Sequence, residues 1–128
     1  MTVVLDASAV LAALLGEPGG GEVESALDDA VICTVNLAEV AAALVRHGNS
    51  AVQARALIAA LDCPGVPADV ELALDAGLLR PLTDRAGLSL GDRFCVALAR
   101  RLNCPILTAD RSWAAIAEPC GIEVELIR

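Results

Sequence analysis

Apolar and polar positions along this chain alternate between two periods. Val3-Val4-Leu5 is a short uninterrupted apolar run that breaks on Asp6, after which Ala9, Leu11, Ala12 and Leu15 recur at helical spacing. The run is too short and too apolar for a surface helix, so it predicts a buried strand, with Asp6 where the strand stops and a helix starts. The same succession continues. Gly16-Glu17-Pro18-Gly19-Gly20-Gly21 is a loop of breakers, 22–29 predicts a short surface helix and 30–35 a second strand. An apolar-rich helix over 36–47 is closed by Gly48-Asn49, and Ser50 caps a further helix to Leu61, so the two form a helical hairpin. Residues 63–67, with two prolines, hold only a short connection or strand, and 69–79 is helical. Leu88-Ser89-Leu90-Gly91-Asp92 opens a helix to Leu102, 105–108 is a strand, 111–117 a helix, and 122–127 a last strand whose Glu123 and Glu125 point outward as on an exposed edge.

Strands that alternate with helices predict a parallel sheet with right-handed crossovers, in which every strand end of one kind lies on one edge. Four carboxylates fall at such places. Asp6 follows the first strand, Glu39 lies one turn into the helix after the second, Asp92 opens a later helix, and Asp110 follows the penultimate strand. Each has a local explanation as well: Asp6 and Asp110 as N-caps, Asn36-x-x-Glu39 and Ser89-x-x-Asp92 as capping boxes. Capping does not require the four to converge, whereas the sheet does. Two unit charges about 4 Å apart repel by about 4 kcal/mol at an effective dielectric of 20, more than helix dipoles offset, so converging carboxylates imply protonation or a bound cation. Oxygen donors with no His or Cys beside them suit Mg²⁺ or Mn²⁺ rather than zinc. Such a site activates a water and stabilises charge developing on a phosphate.

Composition narrows the class. The 128 residues make one domain, 1–128, and the 56% hydrophobic share with one Trp, one Phe and no Tyr describes an aliphatic core. No apolar run approaches the roughly 20 residues of a membrane span and no signal-like leader opens the chain, so a cytoplasmic location without membrane association is expected. Cys33, Cys63, Cys95, Cys104 and Cys120 are odd in number and scattered, with a single His in the chain, which argues for reduced core cysteines over zinc or a disulfide framework. The net charge of −8 is not that of a protein that grips phosphate backbones by bulk electrostatics; cations in the site would have to neutralise the local charge.

Val4-Leu5-Asp6-Ala7-Ser8-Ala9, Asn36-Leu37-Ala38-Glu39-Val40, Leu88-Ser89-Leu90-Gly91-Asp92-Arg93 and Leu107-Thr108-Ala109-Asp110-Arg111-Ser112-Trp113 together resemble a PIN domain, and specifically the VapC toxins of bacterial toxin–antitoxin pairs. The resemblance covers essentially the whole chain in order. It implies a three-layer αβα sandwich around a parallel sheet of four to five strands. The implied activity is a Mg²⁺- or Mn²⁺-dependent endoribonuclease that leaves a 5′-phosphate and a 3′-hydroxyl. Asp6, Glu39, Asp92 and Asp110 are the implied acidic quartet holding the metal, with Ser8 and Thr108 supporting them. A VapB-like antitoxin and a homodimer are the implied partners. Two positions depart from the pattern: Asn36 stands where many relatives carry Thr or Ser, and Ser112 leaves no extra acid after Asp110, which leaves open whether one or two ions are held.

Other residues carry less. A Ser or Cys nucleophile would need His47 as its base, and His47 belongs to the end of a helix far along from Asp6. Arg93 and Arg111 adjoin site acids and are candidates either for RNA phosphate or for pairing with those acids; Arg100 and Arg101 read as a solvated helix face. Trp113 reads as a packing anchor, with base stacking as its alternative. The helices over 36–61 have apolar surface to spare for an antitoxin or a second copy. A receiver-like phosphoacceptor domain needs an active-site lysine, and all nine basic residues are arginine. The remaining alternative is a catalytically weak PIN-fold protein-binding module.

Overall fold

A computed structural model describes all of residues 1–128. The elements run β1 Val3–Leu5, α1 Ala7–Leu15, α2 Gly20–Ala26, β2 Ala30–Cys33, α3 Thr34–Arg46, α4 Ala51–Leu61, β3 Gly65–Val66, α5 Val70–Leu78, α6 Arg80–Thr83, α7 Leu90–Leu102, β4 Ile106–Thr108, α8 Ala117–Cys120 and β5 Val124–Leu126. Short 3₁₀ turns occupy Leu27–Asp29, Asp84–Ala86 and Arg111–Ile116.

The five strands form one parallel sheet in the order β3-β2-β1-β4-β5. Val4 is in register with Val31 on one side and Ile106 on the other. Alternate side chains leave opposite faces, and the core divides accordingly. Val4 and Ile106 pack with Leu72, Leu79, Leu98 and Trp113 from α5, α7 and the C-terminal turn. Val3, Leu5, Ile32 and Leu107 pack with Val10, Val23, Val40, Leu44 and Ala54 from α1 to α4. The result is the expected three-layer α/β sandwich, with the parallel sheet between two helical layers.

Local signals placed most boundaries. Ser50 and Gln53 form a reciprocal capping box at α4, and Asp69 caps α5 by accepting from the Leu72 N–H at 2.8 Å. Gly48, at φ 98°, takes the left-handed turn after α3 that a side chain would strain. Four expectations are corrected. The second strand stops at Cys33 and α3 begins at Thr34, because Thr34 and Val35 already wind into the helix. The short surface helix starts at Gly20 and tightens into a 3₁₀ turn from Leu27. Residues 111–116 are a 3₁₀ turn rather than an α-helix. Arg80–Thr83, where Pro81 sits in a first turn that has no need of its N–H, forms a helix the periodicity did not reveal. No helix is long and apolar enough to cross a membrane, and all five cysteines are free.

Candidate metal centre

From β1 the chain builds to one side through β2 and β3, then crosses to the other side for β4 and β5. The strand order therefore reverses at the β1/β4 pair, and the crevice beyond the carboxyl ends of those strands is where open α/β sheets bind ligands. Asp6 follows β1 and Asp110 follows β4 by two residues. Glu39 lies in α3, the helix after β2, and Asp92 in the first turn of α7.

Asp6 occupies the N-cap position of α1 but makes no capping hydrogen bond. Its carboxylate is buried, and Oδ2 accepts from Ser8 Oγ at 2.5 Å and from Thr108 Oγ1 at 2.9 Å. Each hydroxyl has one proton and gives it to Asp6; each in turn accepts a backbone N–H, Ser8 from Ala109 at 3.0 Å and Thr108 from Asp110 at 3.1 Å. The direction of every bond is thereby fixed, and Oδ1 is left without a side-chain partner. Burial pushes the Asp6 carboxyl up to about 6, the two hydroxyls pull against it, and Asp92 adds to the rise.

Glu39 is half-buried, and its carboxyl is also raised, first by burial and then by Asp92, with the Asn36 amide opposing. Asn36-x-x-Glu39 is not a capping box. Cys33 is the N-cap of α3, so Asn36 lies inside the first turn, where its Nδ2 donates sideways to Glu39 Oε2 at 3.2 Å and to the Gly91 carbonyl at 2.9 Å. Ser89-x-x-Asp92 is a capping box: Ser89 N–H donates to Asp92 Oδ2 at 2.9 Å and Asp92 N–H to Ser89 Oγ at 3.2 Å. Asp6 and Glu39 thus each feel the charge of Asp92.

The Asp110 side chain is engaged locally. Its Oδ1 accepts from Ser112 N–H at 2.9 Å and Ser112 Oγ at 2.7 Å, capping the 3₁₀ turn that follows. No three acids close on a common point as the side chains lie. Arg93 does not pair with the site acids either; it donates to Thr83 Oγ1 at 2.9 Å and to Asp84 at 3.0 Å. Arg101 is no free helix face, since it grips Asp69 through two bonds of 2.9 and 3.0 Å. Arg111 is exposed. Trp113 is wholly buried, so its ring is packing and offers no face to a base. His47 Nδ1–H donates to Ala43 O at 2.8 Å at the end of α3, a cap and not a general base.

The sequence profile of the PIN domain matches residues 3–119. The chain belongs to the PIN domain family. Among solved structures it is similar to VapBC2 from Rickettsia felis bound to a DNA fragment from their promoter, with 16% identity, a TM-score of 0.76 and 98% of each chain covered. It is similar also to FitAcB from Neisseria gonorrhoeae, at 17% identity, TM-score 0.71 and 98% of each chain. A third likeness is to VapBC-5 from Mycobacterium tuberculosis, a member of the VapBC family of toxin–antitoxin systems, at 24% identity, TM-score 0.68, and 98% of this chain against 99% of that one. At these identities the likeness is one of fold. Comparison with curated protein sequences gives no match.

The residues of this PIN domain fit a divalent metal by their chemistry. None of its five ion pairs involves Asp6, Glu39, Asp92 or Asp110, so the crowded carboxylates have no protein cation to offset them. The donors are hard carboxylate oxygens. The one thiol that senses all three inner acids, Cys95, is buried, and burial holds its pKa well above the ordinary value, so it stays protonated and is no ligand. Hard oxygen donors without a thiolate or imidazole suit Mg²⁺ or Mn²⁺.

Two contacts beside the acids escaped sequence reasoning: the reach of Asn36 to the Gly91 carbonyl, and the approach of Glu39 to Gly91. The available signal was a glycine two residues after the Ser89 cap, inside a helix start that has no need of one, a mark of close approach by another group.

Proposed function

We propose that this PIN domain is a Mg²⁺- or Mn²⁺-dependent endoribonuclease and the toxin of a toxin–antitoxin pair. The observation that supports the reading most directly is that the charge of Asp92 reaches both Asp6 and Glu39 at the switch point of the sheet, with no ion pair to a basic side chain at any of the three. Asp6, Glu39 and Asp92 would hold a divalent cation, which would supply an activated water and charge neutralisation at the scissile phosphate. The protein's own part is positioning. Ser8 and Thr108 hold Asp6 Oδ2, and Oδ1, which has no side-chain partner, would be the oxygen offered to a cation. Asp92 keeps one oxygen in its capping bond and offers the other. Asp110 completes the quartet by giving up Ser112. Arg111, exposed beside Asp110 and free of ion pairs, contacts RNA phosphate.

Partners follow from the surface. A groove of about 670 Å³ between α3 and α4 is lined by Leu37, Ala41, Val45, Ala54 and Ile58, with Arg55 among its lining residues. We assign it to an apolar segment of a VapB-like antitoxin, a reading supported by the toxin–antitoxin complexes of the same fold. On α5, Val70, Leu74 and Leu78 are 76, 56 and 76% exposed at four-residue spacing, a stripe we assign to a homodimer contact. A cytoplasmic location, where RNA and an antitoxin would be met, is part of the same proposal.

One observation favours a second reading. With Asp110 spent on a cap and no three acids closed on one point, the chain would be a PIN-fold binding module that cleaves little. Incubating total cellular RNA with the purified, antitoxin-free protein and Mg²⁺ or Mn²⁺, beside EDTA and Asp6→Asn controls, separates the two. Discrete metal-dependent fragments that vanish in the variant support the nuclease. A folded protein with neither cleavage nor metal binding by calorimetry supports the binding module.

A further inference from the structure

Asn36 is wholly buried, and its two Nδ2 protons are divided between Glu39 Oε2 at 3.2 Å and the Gly91 carbonyl at 2.9 Å. Both partners are oxygens without protons, so the amide orientation is settled: turning it over would set Oδ1 against a carboxylate and a carbonyl. Oδ1 is then left buried with no partner at all. A buried orphan acceptor costs about 1–3 kcal/mol, a cost that an apolar side chain at this place would avoid.

Gly91 breaks a second local rule in the same spot. It lies in the first turn of α7 with an ordinary helical φ, where glycine is about 1 kcal/mol worse than alanine. A Cβ there would collide with Glu39 Oε1 and come within 2.7 Å of Glu39 Cδ. Two unfavourable choices, on two helices and 55 positions apart, therefore meet on one carboxylate. Local conflicts of this kind concentrate at functional sites. Glu39 also makes no salt bridge that would fix it by charge.

We propose that Asn36 is a positioning residue that, with the missing side chain of Gly91, seats the Glu39 carboxylate against the first turn of α7, beside Asp92 and toward the divalent cation. The part concerning the cation rests on the nuclease reading above; the seating of Glu39 does not. Asn36 touches neither metal nor substrate. Its amide acts through Glu39, and its bond to the Gly91 carbonyl fixes α3 against the helix that carries Asp92.

Two measurements on the full chain test this. In EDTA, side-chain NMR of ¹³C-labelled glutamates, with Glu39 identified by its loss in Glu39→Gln, reads how many rotamers Glu39 occupies. A single rotamer in the wild type that becomes averaged in Asn36→Ala and displaced in Gly91→Ala supports the seating. A Glu39 already averaged in the wild type, or unmoved in both variants, overturns it. Gly91→Ala favours the helix, so it stays informative if Asn36→Ala folds poorly. Mn²⁺ titration by calorimetry then reads the consequence. Asn36→Ala should weaken Mn²⁺ by about 10- to 100-fold, the usual effect of losing an outer-shell partner, yet change nothing when Glu39→Gln is already present. An equal loss in both backgrounds would make Asn36 a merely structural residue and overturn the proposal. A wild type that binds no Mn²⁺ sinks the nuclease reading and the cation clause with it, while the rotamer measurement still decides the seating.

Discussion

Asp6→Asn should make the metal-free protein more stable, by an amount that depends on pH. The Asp6 carboxyl is lifted from 3.8 to about 6, mainly by burial. Each tenfold change in proton affinity between folded and unfolded chains is worth about 1.4 kcal/mol, so the folded protein bears about 3 kcal/mol for an ionised Asp6. The sign follows from which state loses its proton first. Below pH 3.8 both states are protonated and Asp6 contributes nothing. Between that value and about 6 the unfolded chain ionises while the folded one keeps its proton, so stability falls as pH rises. Above about 6 the full cost is present. Asparagine removes it while its carbonyl oxygen still accepts from Ser8 and Thr108; its NH₂, in the place of Oδ1, recovers less. For a chain of this size we expect a gain in Tm of about 5–10 °C at pH 8, shrinking toward zero near pH 4. The assay is thermal unfolding in EDTA across pH 4–8.5, followed by the fluorescence of the single, buried Trp113. Saturating Mg²⁺ should erase or reverse the gap, since ligand at 100 times its Kd stabilises the native wild type by about 2.7 kcal/mol. A variant less stable than wild type at pH 8 in EDTA, or a gap that ignores pH, would refute the reasoning.

Asp92 separates charge from capping: Asp92→Asn keeps an acceptor for Ser89 N–H and should raise Tm in EDTA, whereas Asp92→Ala loses the cap and should cost about 1 kcal/mol in denaturant unfolding. Thr108→Val leaves the Asp110 N–H without its acceptor and Asp6 with one donor fewer, so both stability and Mg²⁺ affinity should fall, by calorimetry and melting together. Ile58→Asp in the α3/α4 groove should abolish capture by a co-expressed antitoxin while leaving metal-dependent cleavage of RNA intact. Leu74→Asp together with Leu78→Asp should convert a dimer to a monomer in light scattering; a mass unchanged from wild type would remove the α5 stripe from consideration.

What the sequence determined by itself is what near neighbours along the chain decide. The apolar run at Val3–Leu5 made a strand because nothing in it can face water. Ser50 with Gln53 and Ser89 with Asp92 fixed two helix starts through bonds three residues long. Alternation of such elements was enough for a parallel sheet in an α/β sandwich, and the four segments around Asp6, Glu39, Asp92 and Asp110 were enough to suggest the family. Where local signals competed, the sequence misled. Asn36 looked like a cap because a polar residue three before a glutamate usually is one; β2 ended sooner and put it inside the helix. Arg93 and Arg101 looked free or paired with site acids, and their true partners, Asp84 and Asp69, were set by how α5 to α7 pack.

Only tertiary structure decided the site. Thr108 reaches Asp6 across 102 positions and Asn36 reaches Gly91 across 55, contacts that exist because β4 pairs with β1 and α3 lies against α7. The same packing strips Asp6 of water and lifts its pKa, brings Asp92 within range of both Asp6 and Glu39, and turns Asp110 onto its own 3₁₀ turn. Residue type and spacing name the acids. The raised pKa of Asp6 and Glu39, the neighbours of all four acids and the Asp6 oxygen left without a side-chain partner come from burial and from the order of strands, which are properties of the folded whole.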